Sequence, residues 1–284
     1  MPLRTRKAGV ETRDTADMSR FGPARLAGEL AGQADDRPPL VLLHGLTFDR
    51  SMWQPTLEAL RRRDSGRQVL LLDLPGHGQS PEQPSYAADH VADLVHGAVE
   101  QAGLRAPVLV GHSIAAAIAS IYASRYPTRG VVNVDQTLQT GPFFRMLHMR
   151  REDIRGPAFL ALWNGLLDAM NIDQLPDPAQ QLVRSTSRPR QHIVVGYWQQ
   201  VLDDPDALAS TIDDTLAVLR RDRVAYLIVA GGDQEPGYLG WLHRTLPQVT
   251  LTVVPRSGHF PHLADPTRFA ECLATAGGWS GGAG

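Results

Sequence analysis

Six short apolar runs mark the chain: Leu40–Leu43, Val69–Leu72, Val108–Val110, Val131–Val134, Ala225–Val229 and Val249–Val254. Each is bounded by Gly, Pro, Asp or His. Runs that are apolar on both faces fit strands buried inside a parallel sheet. Helical patterns follow at residues 52–63, 86–103, 114–126 and 238–246. This alternation predicts an α/β fold with a mostly parallel central sheet flanked by helices. Ligands of such sheets bind beyond the carboxyl ends of the strands, so chemistry is to be sought in the residues just after each run.

The alternation stops between residues 137 and 222. Gly141-Pro142, Gly156-Pro157, Pro176, Pro178, Pro189 and Pro205 punctuate that stretch, which has helical patterns and no strand run. It is too long for a plain loop. It reads as a helical insertion over the strand ends, within a core formed by residues 21–136 and 223–276. Residues 1–20 read as a flexible polar tail and 277–284 (GGWSGGAG) as a frayed end. The insertion is rich in aromatic and Met side chains. Most are expected to form its own core, with Phe143 and Trp163 expected to line a substrate pocket.

Composition narrows the function classes. With 284 residues, 43% hydrophobic and 20% charged, the chain has an ordinary globular composition, which argues against a coiled coil, a collagen-like repeat or a wholly disordered chain. A net charge of −2 offers no electrostatic footprint for nucleic acid. The single cysteine, Cys272, rules out an internal disulfide and any Cys-based zinc or iron–sulfur site. The longest apolar stretch, Ile114 to Ala123, has about half the length of a membrane span. Arg4, Arg6 and Lys7 are followed by Glu11, Arg13, Asp14 and Asp17 where the apolar part of a signal peptide would lie. The expected location is therefore the cytoplasm.

Candidate chemistry gathers at the strand ends. Gly111-His112-Ser113-Ile114-Ala115 stands between an apolar run and an Ala-rich helix. A serine in such a strand–helix turn has a strained backbone and a projecting hydroxyl, and its neighbours two positions away must be small. Gly111 and Ala115 meet that need, although Ala115 departs from the usual second glycine. After the first run comes His44-Gly45-Leu46. Attack by serine on a carbonyl creates an oxyanion that needs two N–H donors, and the N–H groups of Leu46 and Ile114 are the candidates. His44 is expected to orient the loop and Gly45 to let the backbone approach a ligand, and both count with Phe143 and Trp163 as substrate-binding candidates.

The serine also needs a base. His259, in Ser257-Gly258-His259 after the last run, is preferred over His262. The base needs an acid to fix its tautomer. Asp135 ends the Val131–Val134 run, and Glu235 follows the Ala225–Val229 run in Gly232-Asp233-Gln234-Glu235-Pro236. Spacing does not choose between them, and Asp233 fits only if the loop is shortened. Asp73-Leu-Pro-Gly76-His77-Gly78-Gln-Ser80 reads as a turn that shapes the floor of the site. No metal-ligand spacing accompanies His77.

Taken together, His44-Gly45, Trp53, Asp73-x-x-Gly76-x-Gly78-x-Ser80, Gly111-x-Ser113-x-Ala115 and Gly258-His259 resemble the α/β-hydrolase superfamily over residues 24–274. The resemblance is weakest in 137–222, which looks like that family's cap. It implies Ser113 as nucleophile, His259 as base, Leu46 and Ile114 as oxyanion hole, and no cofactor or metal. It leaves the acid open. Glu235 matches the commonest family position with Glu for Asp. Asp135 matches a minority that includes mycotoxin-lactonase-like members. The implied activity is hydrolysis of an ester or lactone, and the aromatic- and Met-bearing insertion points to a medium-sized, largely apolar substrate. The protein is expected to be a monomer or homodimer. The same fold also hosts cofactor-independent oxygenases, C–C hydrolases, acyltransferases and non-catalytic receptors. Dehalogenases and epoxide hydrolases are disfavoured, because they place Asp where Ser113 stands.

Overall fold

The computed structural model describes residues 26–63 and 66–275. The expected flexible tail at 1–20 and frayed end at 277–284 lie outside the described residues. Seven strands form one sheet: β1 Gly28–Ala31, β2 Leu40–Leu43, β3 Val69–Leu72, β4 Val108–His112, β5 Gly130–Val134, β6 Tyr226–Ala230 and β7 Val249–Val253. Their order is β1-β3-β2-β4-β5-β6-β7, and every neighbouring pair is parallel except β1–β3. The six apolar runs are β2 to β7. The run pattern misses β1, whose GELA sequence is half-buried on an antiparallel edge and so carries too little apolar signal.

Successive side chains point to opposite faces of the sheet. Val41 and Leu43 enter one core and Leu40 and Leu42 the other, so both faces are covered by helices. On one face lie α1 Gln54–Arg63 and α12 Pro266–Thr275, packed on each other. On the other lie α2 Ala88–Gln101, α3 Ile114–Arg125 and α9 Pro205–Arg221, with α3 packed between α2 and α9. The chain passes from β3 at one side of β2 to β4 at the other. This reversal opens a crevice above the carboxyl ends of β2 and β4.

Six helices fill the chain between β5 and β6. They are α4 Pro142–Met149, α5 Arg151–Arg155, α6 Phe159–Ala169, α7 Asp177–Thr186, α8 Gln191–Asp203 and α9. Ile172, Leu175 and Val183 from this segment pack with Phe48, Met52 and Phe260. That small core fastens the segment to the loops after β2 and β7. Two further helices, α10 Pro236–Thr245 and α11 Pro261–Ala264, follow β6 and β7.

Candidate active site

Ser113 ends β4 and opens α3 with φ 55° and ψ −134°, a conformation that costs a non-glycine residue about 1–3 kcal/mol. Surrounding bonds hold it there. The Ser113 N–H donates to the Val134 carbonyl (2.9 Å), and the Ala116 N–H donates to the Ser113 carbonyl (2.8 Å). The small-neighbour rule has a direct geometric cause. A Cβ at position 111 would lie 2.3 Å from the Ala115 carbonyl oxygen, so only glycine fits.

Asp135 follows β5, the strand beside β4, and also has positive φ (56°). Both carboxylate oxygens are engaged. Oδ1 accepts the Gly231 N–H (2.8 Å), and Oδ2 lies 2.8 Å from His259 Nδ1. The His259 ring therefore carries its proton on Nδ1, and Nε2 is the basic nitrogen. Gly258 gives the His259 loop its path: with φ 51° it passes so close to Met170 that a Cβ would lie 2.3 Å from the Met170 carbonyl oxygen. The His259 N–H donates to that same carbonyl (3.1 Å).

The structure thus brings His259 to Asp135 and not to Glu235. Glu235 is exposed at the head of α10, and no hydrogen bond joins it to His259. Asp233 is exposed as well. His262 lies in the core, with its ring 4.5 Å from that of Trp53 and 4.6 Å from that of His112. Burial pushes its pKa down to about 3.

His44 and Gly45, expected to touch substrate, instead lie beneath the loop, and Leu46 is the residue of the three that lines the cavity. His44 Nε2 accepts the Leu74 N–H (2.9 Å), so its Nδ1–H donates to the Gly45 carbonyl (2.8 Å). His77 repeats the device: its Nε2 accepts the Thr47 N–H (3.0 Å), and its Nδ1–H donates to the Pro75 carbonyl (2.9 Å). Burial lowers the pKa of His44 to about 4 and of His77 to about 3, so both stay neutral and can accept. The turn carrying His77 is braced in its own right. Asp73 is ion-paired with Arg50 and accepts the Arg50 and Gln79 N–H groups, and Ser80 Oγ–H donates to the Asp73 carbonyl (2.6 Å).

Ser113, Asp135, His259, Leu46 and Ile114 all border one cavity of about 980 Å³. Trp163 and Phe143 line it. Trp163 is buried between Phe159 and Trp198, and the Phe143 ring meets Trp198 edge-on. Phe48, Tyr197 and Tyr238 also line it, as do Ala117 and Ile121 of α3 and Leu208 and Ile212 of α9. The α3 and α9 positions were missed because an apolar face turned toward a cavity has the same helical period as one turned toward a core. Among the described residues, no group of three or more His, Cys, Asp or Glu could hold a metal ion. No helix there is long and apolar enough to cross a membrane.

The fold agrees with what the chain is similar to. Residues 40–272 match the model of the alpha/beta hydrolase family. The chain belongs to that family. It is 25% identical to the sn-1-specific diacylglycerol lipase ABHD11 of Mus musculus, over 95% of this chain and 89% of that protein. It is 28% identical to the pimeloyl-[acyl-carrier protein] methyl ester esterase of Chromobacterium violaceum, over 84% of this chain and 93% of that one. A similar fold is seen in AqDC, a protein described as recognising the Pseudomonas quinolone signal and cleaving its ring. The TM-score is 0.75 at 17% identity, covering 94% of this chain and 100% of that one. Family and curated relatives together place the chain among hydrolases acting on ester bonds.

Proposed function

We propose that the protein hydrolyses an ester or lactone of a medium-sized, largely apolar molecule, with Ser113, His259 and Asp135 as a catalytic triad. The observation that carries this reading is the 2.8 Å bond from His259 Nδ1 to Asp135 Oδ2 beside a strained Ser113 on the same cavity. Ser113 Oγ attacks the carbonyl carbon while His259 Nε2 takes its proton. The N–H groups of Leu46 and Ile114 stabilise the resulting oxyanion. His259 then passes the proton to the leaving oxygen as the C–O bond breaks, leaving an acyl-enzyme. Water attacks this next, giving its proton to His259, and the acid leaves as Ser113 regains its hydrogen. Helices α4 to α8 act as a cap that encloses the apolar part of the substrate.

Asp135 also supports a second reading. An acid after this strand suits the family's less usual members, in which a His–Asp pair deprotonates the substrate and the serine only hydrogen-bonds. Such an enzyme would add dioxygen to the deprotonated ring and release carbon monoxide, where the hydrolase gives an acid and an alcohol.

Intact-mass analysis after fluorophosphonate treatment tests the leading reading. One adduct on the wild type and none on Ser113→Ala is the expected result. A folded wild type that takes no adduct overturns it.

A further inference from the structure

Helix α3 lies inside the protein, between the sheet and α2 and α9. Ala115, Ala116, Ile118, Ala119 and Ser120 are all buried on it, whereas Ile114 and Ala117 keep part of their surface open. Ile114, Ala117 and Ile121 fall at the i, i+3, i+7 spacing of one helix face, and all three line the cavity that holds Ser113. Leu208 and Ile212, one turn apart on α9, line it too, with Val201 of α8.

The direction of this extension follows from the topology. α3 starts at the carboxyl end of β4 and ends before the start of β5. α9 ends before the start of β6. Both helices therefore descend from the active-site end of the sheet toward its opposite end. Ile121 is the lowest of its three and Ile212 the lower of its two, so the cavity lining runs down from Ser113 along the two helices.

We infer that this extension of the cavity is an acyl sleeve, in which the hydrocarbon tail of a medium-chain acyl ester lies along the Ile114–Ala117–Ile121 face of α3, with Ala117 setting the width and Ile121 the floor. The inference rests on the proposed hydrolase reading and adds the substrate class. Seven residues of helix from Ile114 to Ile121 span about 10 Å. With C–C bonds of about 1.5 Å, a zigzag chain advances a little over 1 Å per carbon, so the sleeve holds roughly eight carbons. Ala117 is the one position on the face without a long side chain. It leaves the groove open beside the reacting carbonyl.

The test is a kcat/KM series on p-nitrophenyl esters from acetyl to lauroyl. The wild type is expected to peak near octanoyl. Each methylene that can be buried is worth about fourfold. Ala117→Leu should therefore lower the octanoyl-to-butyryl ratio by about ten- to hundredfold. Ile121→Ala deepens the floor and should raise the lauroyl-to-octanoyl ratio about fivefold or more. Thermal melting confirms that both variants are folded. A butyryl optimum, or ratios that stay put in both folded variants, overturns the sleeve. Calorimetry with octanoate on Ser113→Ala separates the two readings. If no ester is turned over, the hydrolase reading fails. Octanoate bound by Ser113→Ala, and not by the same protein carrying Ala117→Leu, then still supports the sleeve. Octanoate that fails to bind Ser113→Ala overturns the sleeve whatever the esters do.

Discussion

Asp135 Oδ2 holds His259 Nδ1 at 2.8 Å across the carboxyl ends of β5 and β7, while its other oxygen accepts the N–H of Gly231 at the end of β6. One carboxylate thereby joins three strand ends. The backbone bond fixes the carboxylate plane before the histidine is considered, so Asp135 is positioned by the sheet itself. Side-chain exposures of 22% for Asp135 and 19% for His259 place the pair at the cavity wall and not in bulk water.

Asp135→Asn should therefore lower kcat by roughly three to four orders of magnitude, since an amide cannot hold the imidazole in the required tautomer or stabilise the imidazolium. Glu235→Gln should stay within about twofold, the range expected of an exposed change with no buried partner. Parallel steady-state assays of the two variants decide the matter. A large loss in Glu235→Gln with little in Asp135→Asn would reverse the assignment.

The Gly45–Leu46 peptide leads to a second expectation. Its carbonyl points to His44 Nδ1, and in a trans peptide the Leu46 N–H lies on the opposite edge. His44 thus turns the Leu46 N–H away from itself, at a residue that borders the cavity. That carbonyl also accepts the Phe48 N–H (3.3 Å), so His44→Ala removes the shorter of its two bonds and loosens the peptide. kcat should fall by about a hundredfold, the lower end of the loss for one oxyanion donor, with KM little changed. The fluorophosphonate labelling rate should fall in parallel. An unchanged labelling rate would mean that the loop is held without His44.

Much of the site is legible in the sequence because its chemistry sits at strand ends, and the strands are short, wholly apolar runs. Gly111 and Gly258 are readable for a related reason, as each lies where a Cβ would strike a backbone carbonyl. The acid was not legible. Asp135 and Glu235 both follow strands, and only the fold shows that Gly231 presents its N–H to one of them. The cavity wall was half legible. Trp163 and Phe143 stand out as aromatics in an insertion, whereas Ala117 and Ile212 carry no mark distinguishing a cavity-facing helix from a packed one. Strand β1 escaped because a half-buried antiparallel edge needs little apolar sequence.

Acid should destabilise the fold through its buried histidines. His44 titrates near 4, and His77 and His262 near 3, because burial disfavours their charged forms. In the unfolded chain they titrate near 6.5. Between those values the unfolded state binds more protons than the folded one. Stability is thus complete above about pH 6.5 and is lost as pH falls toward 3–4, with each histidine adding a slope of about 1.4 kcal/mol per pH unit. Denaturant midpoints at pH 8, 6, 5 and 4 measure this. His262→Phe should flatten the slope by about one proton. Neither His262 nitrogen has a protein partner, so the replacement costs no hydrogen bond.

His112 ties the Ser113 turn to the His259 loop. It directly precedes Ser113, is fully buried, and donates its Nε2–H to the His259 carbonyl at 2.8 Å. Burial holds its pKa well below the usual value for histidine, so the ring stays neutral. The strap sets the backbone separation of Ser113 and His259, and a misplacement on the ångström scale can cost about a hundredfold in rate. His112→Phe keeps the volume and removes the donor. It leaves the His259 carbonyl short of a partner, at a cost of about 1–3 kcal/mol in stability. kcat should fall ten- to hundredfold while KM holds, because the cavity wall is untouched and only the reacting pair has moved. His112→Gln carries an amide N–H that reaches the place of Nε2 and should recover much of kcat. Equal stability loss in both variants with equal kcat loss would reduce His112 to a packing residue. Recovery by Gln alone, with the fluorophosphonate labelling rate following kcat, identifies the hydrogen bond as the element that aligns serine and histidine.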